Sequence, residues 1–288
     1  MKRTVKITAS CNGTISTGQW ENEKPFYGVE EVIEDCNLSD KGISDRQKEL
    51  SRLCYSQFKA QANLSYTEKI EKQYQNIRFY NNDGVRVPSV TSILGWDKDF
   101  HIPEDELNQF GCRGTLIHKQ VEIFLTTGEW KSPQDIEECA FEYKSVAEGS
   151  LGLDFEDVNF RAFFTDYPFK TLEVEKSIVN KEHEYGGRLD ILCVIEPENK
   201  GKWEKIEGVK FDEPTILDIK TSTNLNDTNG LTQQSAYSKA IDVKQIGLIH
   251  LTKSNKCGFA KPIITTNIER YWNLFLNKRN EFRRRYGV

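Results

Sequence analysis

Residues 174–179 read VEKSIV, 185–195 YGGRLDILCVI, 214–223 PTILDIKTST and 231–240 LTQQSAYSKA, and this succession decides the fold. The first three are apolar, β-branched runs of strand length, and the fourth has the texture of a helix. Glu175 stands in the first run, Asp190 in the second, and Asp218-Ile219-Lys220 in the third. Side chains alternate across a strand, so Asp218 and Lys220 share one face while Leu217 and Ile219 point to the other. Two carboxylates and a lysine gathered on paired strands suit a divalent cation and an activated water.

Working outward, a central sheet is expected from residues 171–179, 187–196, 214–220, 246–252 and 258–264. Residues 197–213 read as a hairpin or surface loop, and a last helix covers 266–286. Hairpin strands followed by strand–helix–strand predict an α/β (α+β) architecture, a mixed sheet flanked by helices. Upstream, residues 77–80 (IRFY) and 85–88 (VRVP) flank Asn81-Asn82-Asp83-Gly84, a hairpin signal. Ser89 then caps a short helix, VTSIL. A helical segment from about Glu104 to Thr126 follows, broken or kinked near Gly111 and Gly114. Ile117, Val121, Phe124 and Leu125 form its core stripe, with His118 at the border. A further helix is expected over 135–148.

Residues 1–76 read as a separate small α+β module. Two runs, 4–11 and 14–20, flank Asn12-Gly13 and predict a hairpin between them. Ser44 with Gln47 has the form of a capping box for a helix whose stripe is Leu50, Leu53, Cys54 and Phe58. Thr67 is expected to cap a second, shorter helix. The module carries no catalytic constellation. Trp20, Phe26 and Tyr27 are candidates for stacking on a nucleic-acid single strand, the plainer reading being a small core.

Composition narrows the class. With 37% hydrophobic and 29% charged residues, the 288-residue chain has enough apolar surface for a large core. No apolar run reaches the roughly 18–20 residues of a membrane span. The first ten residues, MKRTVKITAS, lack the apolar core of a signal peptide, so no membrane partner and a cytoplasmic setting (host cytoplasm if viral) are expected. Seven scattered cysteines form no CxxC pair, which argues for reduced thiols. A net charge of −5 disfavours a chain coated in positive charge but leaves room for a local basic groove. The cluster Lys278, Arg279, Arg283, Arg284 and Arg285 reads as a solvated helix face.

An acidic strand residue, Asp190 in YGGRLDIL, ILDIKTS, QQSAY on the next helix, and RGTLIHKQVEIFL with PSVTSIL upstream together resemble the PD-(D/E)XK nuclease superfamily. The closer resemblance is to its RecB-type exonuclease branch, which includes the mitochondrial genome maintenance exonuclease and phage exonucleases. The matching segments cover roughly 88–240, and YWNLFLNKRNEFRRRY (271–286) is similar too. The resemblance implies a restriction-endonuclease-like fold over 77–288, with the N-terminal module as an appendage of DNA- or partner-binding character.

It also implies roles for individual residues. His118, Asp190 and Asp218 would bind the metal, with the main-chain carbonyl of Ile219 as a further ligand. Lys220 would position or deprotonate the attacking water, and a pKa depressed beside the metal would let it act as a base. Glu175 would be a water-mediated or second-metal ligand and part of the catalytic set. Gln233, Tyr237, Arg113 and Ser222 would contact DNA or support the site. Oxygen ligands suit Mg²⁺ or Mn²⁺, and one imidazole tilts the site toward Mn²⁺. Relatives that carry a four-cysteine iron–sulfur cluster hold it near the C-terminus, where this chain has only Cys257, so no cluster is expected. No GxxxxGK loop occurs, so the chain is not itself a helicase.

The expected activity is a metal-dependent deoxyribonuclease, an exonuclease acting on single-stranded DNA or DNA ends alongside replication or recombination proteins. A structure-specific or restriction-like endonuclease is the rival among enzymes. A non-catalytic DNA-binding subunit that keeps the fold is the rival from another class.

Overall fold

The computed structural model describes residues 4–12, 15–16, 22–23, 26–33, 39–73, 77–82, 84–97, 102–155, 158–252 and 255–288. Two compact units divide the chain, one ending at Pro88 and the other spanning Ser89–Gly287.

In the first unit, β1 (Val5–Asn12) pairs antiparallel with β4 (Phe26–Ile33), while the short β2 (Ile15–Ser16) and β3 (Asn22–Glu23) pair between them. The expected hairpin about Asn12-Gly13 is therefore replaced by a ribbon whose partner strand comes later, and Gly13 lies outside the described residues. Trp20 and the side chains of Phe26 and Tyr27 lie outside them as well. Ile7 and Ala9 alternate inward with Thr8 and Ser10 outward, and they pack on Leu50 and Cys54 of α1 (Asp40–Gln73).

The capping predictions for this helix need correction. Ser39, not Ser44, caps α1, its hydroxyl accepting the Gly42 N–H at 3.2 Å. Thr67 is buried in mid-helix and donates to the Asn63 carbonyl at 2.8 Å, so one helix runs where two were expected. Leu53, assigned to the stripe, is 47% exposed.

The hairpin of β5 (Phe79–Asn82) and β6 (Val85–Pro88) forms as predicted, with Gly84 at φ +84° and its N–H bound by the Asn81 side chain. It belongs to the first unit, however. The Asn63 amide grips Arg86 at both its N–H (2.6 Å) and its carbonyl (3.2 Å), and Arg86 pairs with Glu71. These bonds to α1 move the boundary from 76/77 to 88/89.

The second unit opens with Ser89 capping α2 (Val90–Gly95) through the Ser92 N–H at 3.0 Å. The next helix, α3 (Glu104–Thr127), begins with three acidic residues and ends at Gly128 in the left-handed region. It is unbroken through Gly111 and Gly114, contrary to expectation, and it buries Ile117 and Val121 against the sheet. After α4 (Ala140–Ala147) and α5 (Phe160–Asp166) come β7 (Lys170–Asn180), β8 (Tyr185–Val194), β9 (Pro214–Lys220), α6 (Asp227–Ile241), β10 (Gln245–His250), β11 (Ile263–Thr265) and α7 (Ile268–Tyr286).

The sheet order is β11-β10-β9-β8-β7, with β9 and β10 parallel across α6 and the other pairs antiparallel. The mixed sheet is as predicted, except that its last strand is shorter and later. Gly258 at φ +77° turns the chain there, and its carbonyl accepts from Asn159 and Thr252. The 197–213 segment is more than a surface loop, because Trp203 is fully buried and its indole donates to the Pro168 carbonyl at 2.7 Å.

The basic cluster of α7 is likewise only partly a solvated face. Arg279 is 2% exposed and donates to the carbonyls of His183 (3.1 Å) and Glu184 (2.9 Å), while Arg283 pairs with Glu184. Among the described residues, no helix is long and apolar enough to cross a membrane, and six cysteines are free thiols.

Candidate metal centre

Strand pairing brings the first two acids together. In the β7–β8 register Val174 faces Ile191 and Lys176 faces Leu189, which leaves Glu175 opposite Asp190. Glu175 adopts φ +50°, a left-handed conformation for a non-glycine residue inside a strand, near a register shift at Thr171/Glu173. Such backbone costs about 1–3 kcal/mol and re-aims the side chain.

The β8–β9 ladder stops at the Ile191–Leu217 pair, one residue before Asp190. The freed Ile219 N–H is accepted by Asp190 Oδ2 at 2.8 Å instead. The N–H and C=O of one strand residue point to the same side, so the Ile219 carbonyl also faces the β8 side.

His118, on α3, completes the cluster. Its Nδ1 lies 3.5 Å from Asp190 Oδ2 and 3.8 Å from Glu175 Oε1. Ligand atoms of His118, Glu175 and Asp190 all fall within 4.8 Å of one another. The expected trio was His118, Asp190 and Asp218. Asp218 acts on His118 and Asp190 through its charge, and Glu175, expected as a water-mediated or second-metal ligand, joins them here. Its other oxygen is held by Arg188 Nε at 2.5 Å.

Asp218 and Lys220 occupy the same face of β9, as alternation requires, while Leu217 and Ile219 enter the main core. Asp218 is 1% exposed. Its Oδ2 lies 2.7 Å from Lys220 Nζ, a charge contact off the hydrogen-bonding direction, and its Oδ1 accepts from Gln234 Nε2 at 2.8 Å. Lys220 donates to Gln233 Oε1 at 3.0 Å, and Gln233 Nε2 donates to the Tyr237 hydroxyl at 3.1 Å. A Cβ on Gly187 would come within 2.5 Å of the Tyr237 ring, so the glycine admits that side chain.

The electrostatics follow from three acids in one place. Burial pushes the His118 imidazole down, but Asp190, Glu175 and Asp218 outweigh it and hold the imidazolium up to about 9. Burial and the Asp218 charge raise Asp190, partly offset by His118, the Ile219 N–H and Lys220. The protein's own groups act on Lys220 in both directions: burial lowers its pKa, yet Asp218 and Asp190 together raise it above the ordinary lysine value. With His118 protonated, the three carboxylates are balanced by His118, Lys220 and Arg188, and release of the His118 proton leaves a deficit of one positive charge. A divalent cation bound by two carboxylates and one imidazole answers that deficit with suitable donors.

A cleft of about 480 Å³ opens over this face, lined by Phe110, Gly114, His118, Lys119, Glu175 and Arg188 among others. None of the four residues expected at a nucleic-acid interface, Arg113, Ser222, Gln233 and Tyr237, lines it. Arg113 is 7% exposed and donates to the carbonyls of Asp154 (2.7 Å) and Thr221 (3.2 Å), bracing α3 against the end of β9. Tyr237 is buried at 2%. Ser222 is exposed, with its hydroxyl turned to the Asn224 carbonyl.

No family model matches the chain, and no curated protein matches it. Among solved structures, the crystal structure of SSO0001 is 14% identical, covering 63% of this chain and 89% of that one, with a TM-score of 0.26. A likeness that faint carries no argument.

Sequence reasoning overlooked Arg188 and Gln234. Arg188 had a signal, since two residues before Asp190 on one strand means the same face. Gln234 had none beyond its neighbour, because only Gln233 fits the Gln-x-x-x-Tyr spacing.

Proposed function

We propose that this chain is a metal-dependent deoxyribonuclease of the PD-(D/E)XK type. One observation carries the reading: His118, Glu175 and Asp190 converge within 4.8 Å, and Asp190 is joined through the Ile219 N–H to the Asp218–Lys220 strand. His118, Glu175 and Asp190 would hold the cation, with Asp218 and the Ile219 carbonyl beside it. The chemistry such a cation supplies is neutralisation of phosphate charge and a lowered pKa for its water.

The chain's own groups have distinct tasks. Before a cation binds, Asp218 holds Lys220 as an ammonium. In that form it orients the attacking water and stabilises developing negative charge. Arg188, at the cleft and on Glu175, is placed to meet an incoming phosphate. His118 gives up its proton before it can ligate.

The exonuclease assignment rests on the resemblance to the RecB-type branch. End-labelled single- and double-stranded oligonucleotides incubated with Mg²⁺, Mn²⁺ or EDTA test the activity. Loss of end label with either metal and none with EDTA is expected, and covalently closed circles should survive. Cutting that persists in EDTA would overturn the reading, and nicked circles would make the enzyme an endonuclease.

A further inference from the structure

We infer that Gln234 is a positioning residue that sets the plane of the Asp218 carboxylate and thereby the cation site, an inference that rests on the nuclease reading. Gln234 lies on α6, is fully buried, and donates through Nε2 to Asp218 Oδ1 at 2.8 Å. Its own Oε1 is buried without a hydrogen-bond partner. An amide with one end idle in the interior is a poor stabiliser of the fold. Its single bond goes to the carboxylate of the Asp-x-Lys strand.

The neighbouring side chain makes the pattern complete. Gln233 Oε1 accepts from Lys220, while Gln234 Nε2 donates to Asp218. Each amide turns the pole its charged partner demands, so neither can be flipped without setting like poles together. Two consecutive residues of α6 thus hold two same-face residues of β9. A carboxylate can rotate about its last side-chain bond, and one donor on Oδ1 fixes that rotation. Oδ2 is then the oxygen turned to Lys220, 2.7 Å away. Because the amide is neutral, it orients Asp218 without cancelling the charge that holds Lys220 and would attract a metal ion.

Gln234→Met keeps the length and removes the donor; Gln234→Glu keeps the shape and sets a carboxylate against Asp218. Thermal unfolding in EDTA, Mn²⁺ calorimetry, and kcat with KM on a single-stranded oligonucleotide are read on both variants and the wild type. For Gln234→Met we expect a lowered unfolding temperature, because the buried Asp218 carboxylate loses its donor, and, per folded molecule, Mn²⁺ binding weakened roughly tenfold and kcat lowered by a similar factor at constant KM. Gln234→Glu should lose more kcat than Gln234→Met. Wild-type Mn²⁺ affinity in a folded Gln234→Met protein overturns the inference. So does a lowered unfolding temperature with wild-type binding and turnover per folded molecule, which would make the residue purely structural. A wild-type protein that binds Mn²⁺ but cuts nothing would defeat the nuclease reading alone, leaving the calorimetric comparison to decide the role of Gln234.

Discussion

The two halves of the site are finished to different degrees. On β9, Asp218 and Lys220 are enclosed: the acid is bound by Gln234 and faces the ammonium, and the ammonium is bound by Gln233. On β7 and α3, Glu175 and His118 line a cleft, with strained backbone at Glu175, and Asp190 of β8 stands beside them at contacts of 3.5–3.8 Å, too long for the three to satisfy one another. The protein completes the first half with its own side chains. It balances the second half only by keeping His118 protonated and Arg188 on Glu175, so a cation that enters there takes the place of the imidazolium proton.

That contrast breaks most visibly at Asp190, which serves both halves. Asp190→Ala removes a carboxylate from the trio and the acceptor of the Ile219 N–H. Cation affinity should fall by more than the roughly 10–100-fold that loss of a ligand's outer partner costs, and cleavage with it. Mn²⁺ calorimetry checks this, and an unchanged dissociation constant would remove the trio from the metal site.

Proton competition should separate the halves next. His118 is held as an imidazolium up to about 9, so below that pH cation binding must expel a proton. Affinity should therefore rise with pH, by up to about tenfold per unit. Titrations between pH 6 and 8 in buffers of different ionisation enthalpy would register the released proton. A flat profile would mean that His118 does not ligate.

The enclosed half should respond as a piece of core. Gly187→Ala drives a methyl into the Tyr237 ring, and overpacking of this kind costs about 1–3 kcal/mol. A urea denaturation midpoint equal to that of the wild type would mean that the Gly187–Tyr237 contact yields freely.

What could be read from the sequence tracks these same physical differences. The faces of β9 were legible because a two-residue period is a local property, and Leu217 and Ile219 do enter the core opposite Asp218 and Lys220. Glu175 was legible as a water-mediated or second-metal ligand, but its closeness to His118 was not, since nothing in VEKSIV announces a left-handed residue. Arg113 and Arg279 misled for a common reason. A charged residue on a helix reads as surface, and only the tertiary structure shows the backbone carbonyls that allow a guanidinium to be buried. In the first unit, Ser44 and Thr67 are ordinary helix residues that share the chemistry of caps, and the β1–β4 pairing spans a stretch too long for turn rules to fix.

Arg279 gives the last helix a reach beyond its own packing. By clasping the carbonyls of His183 and Glu184 it pins the tight bend that joins β7 to β8, 96 residues upstream of the guanidinium. That bend sets the phase in which the two strands meet, and the phase decides that Glu175 falls across from Asp190. The tail of the chain thus acts as a tuning peg for a centre to which it contributes no atom.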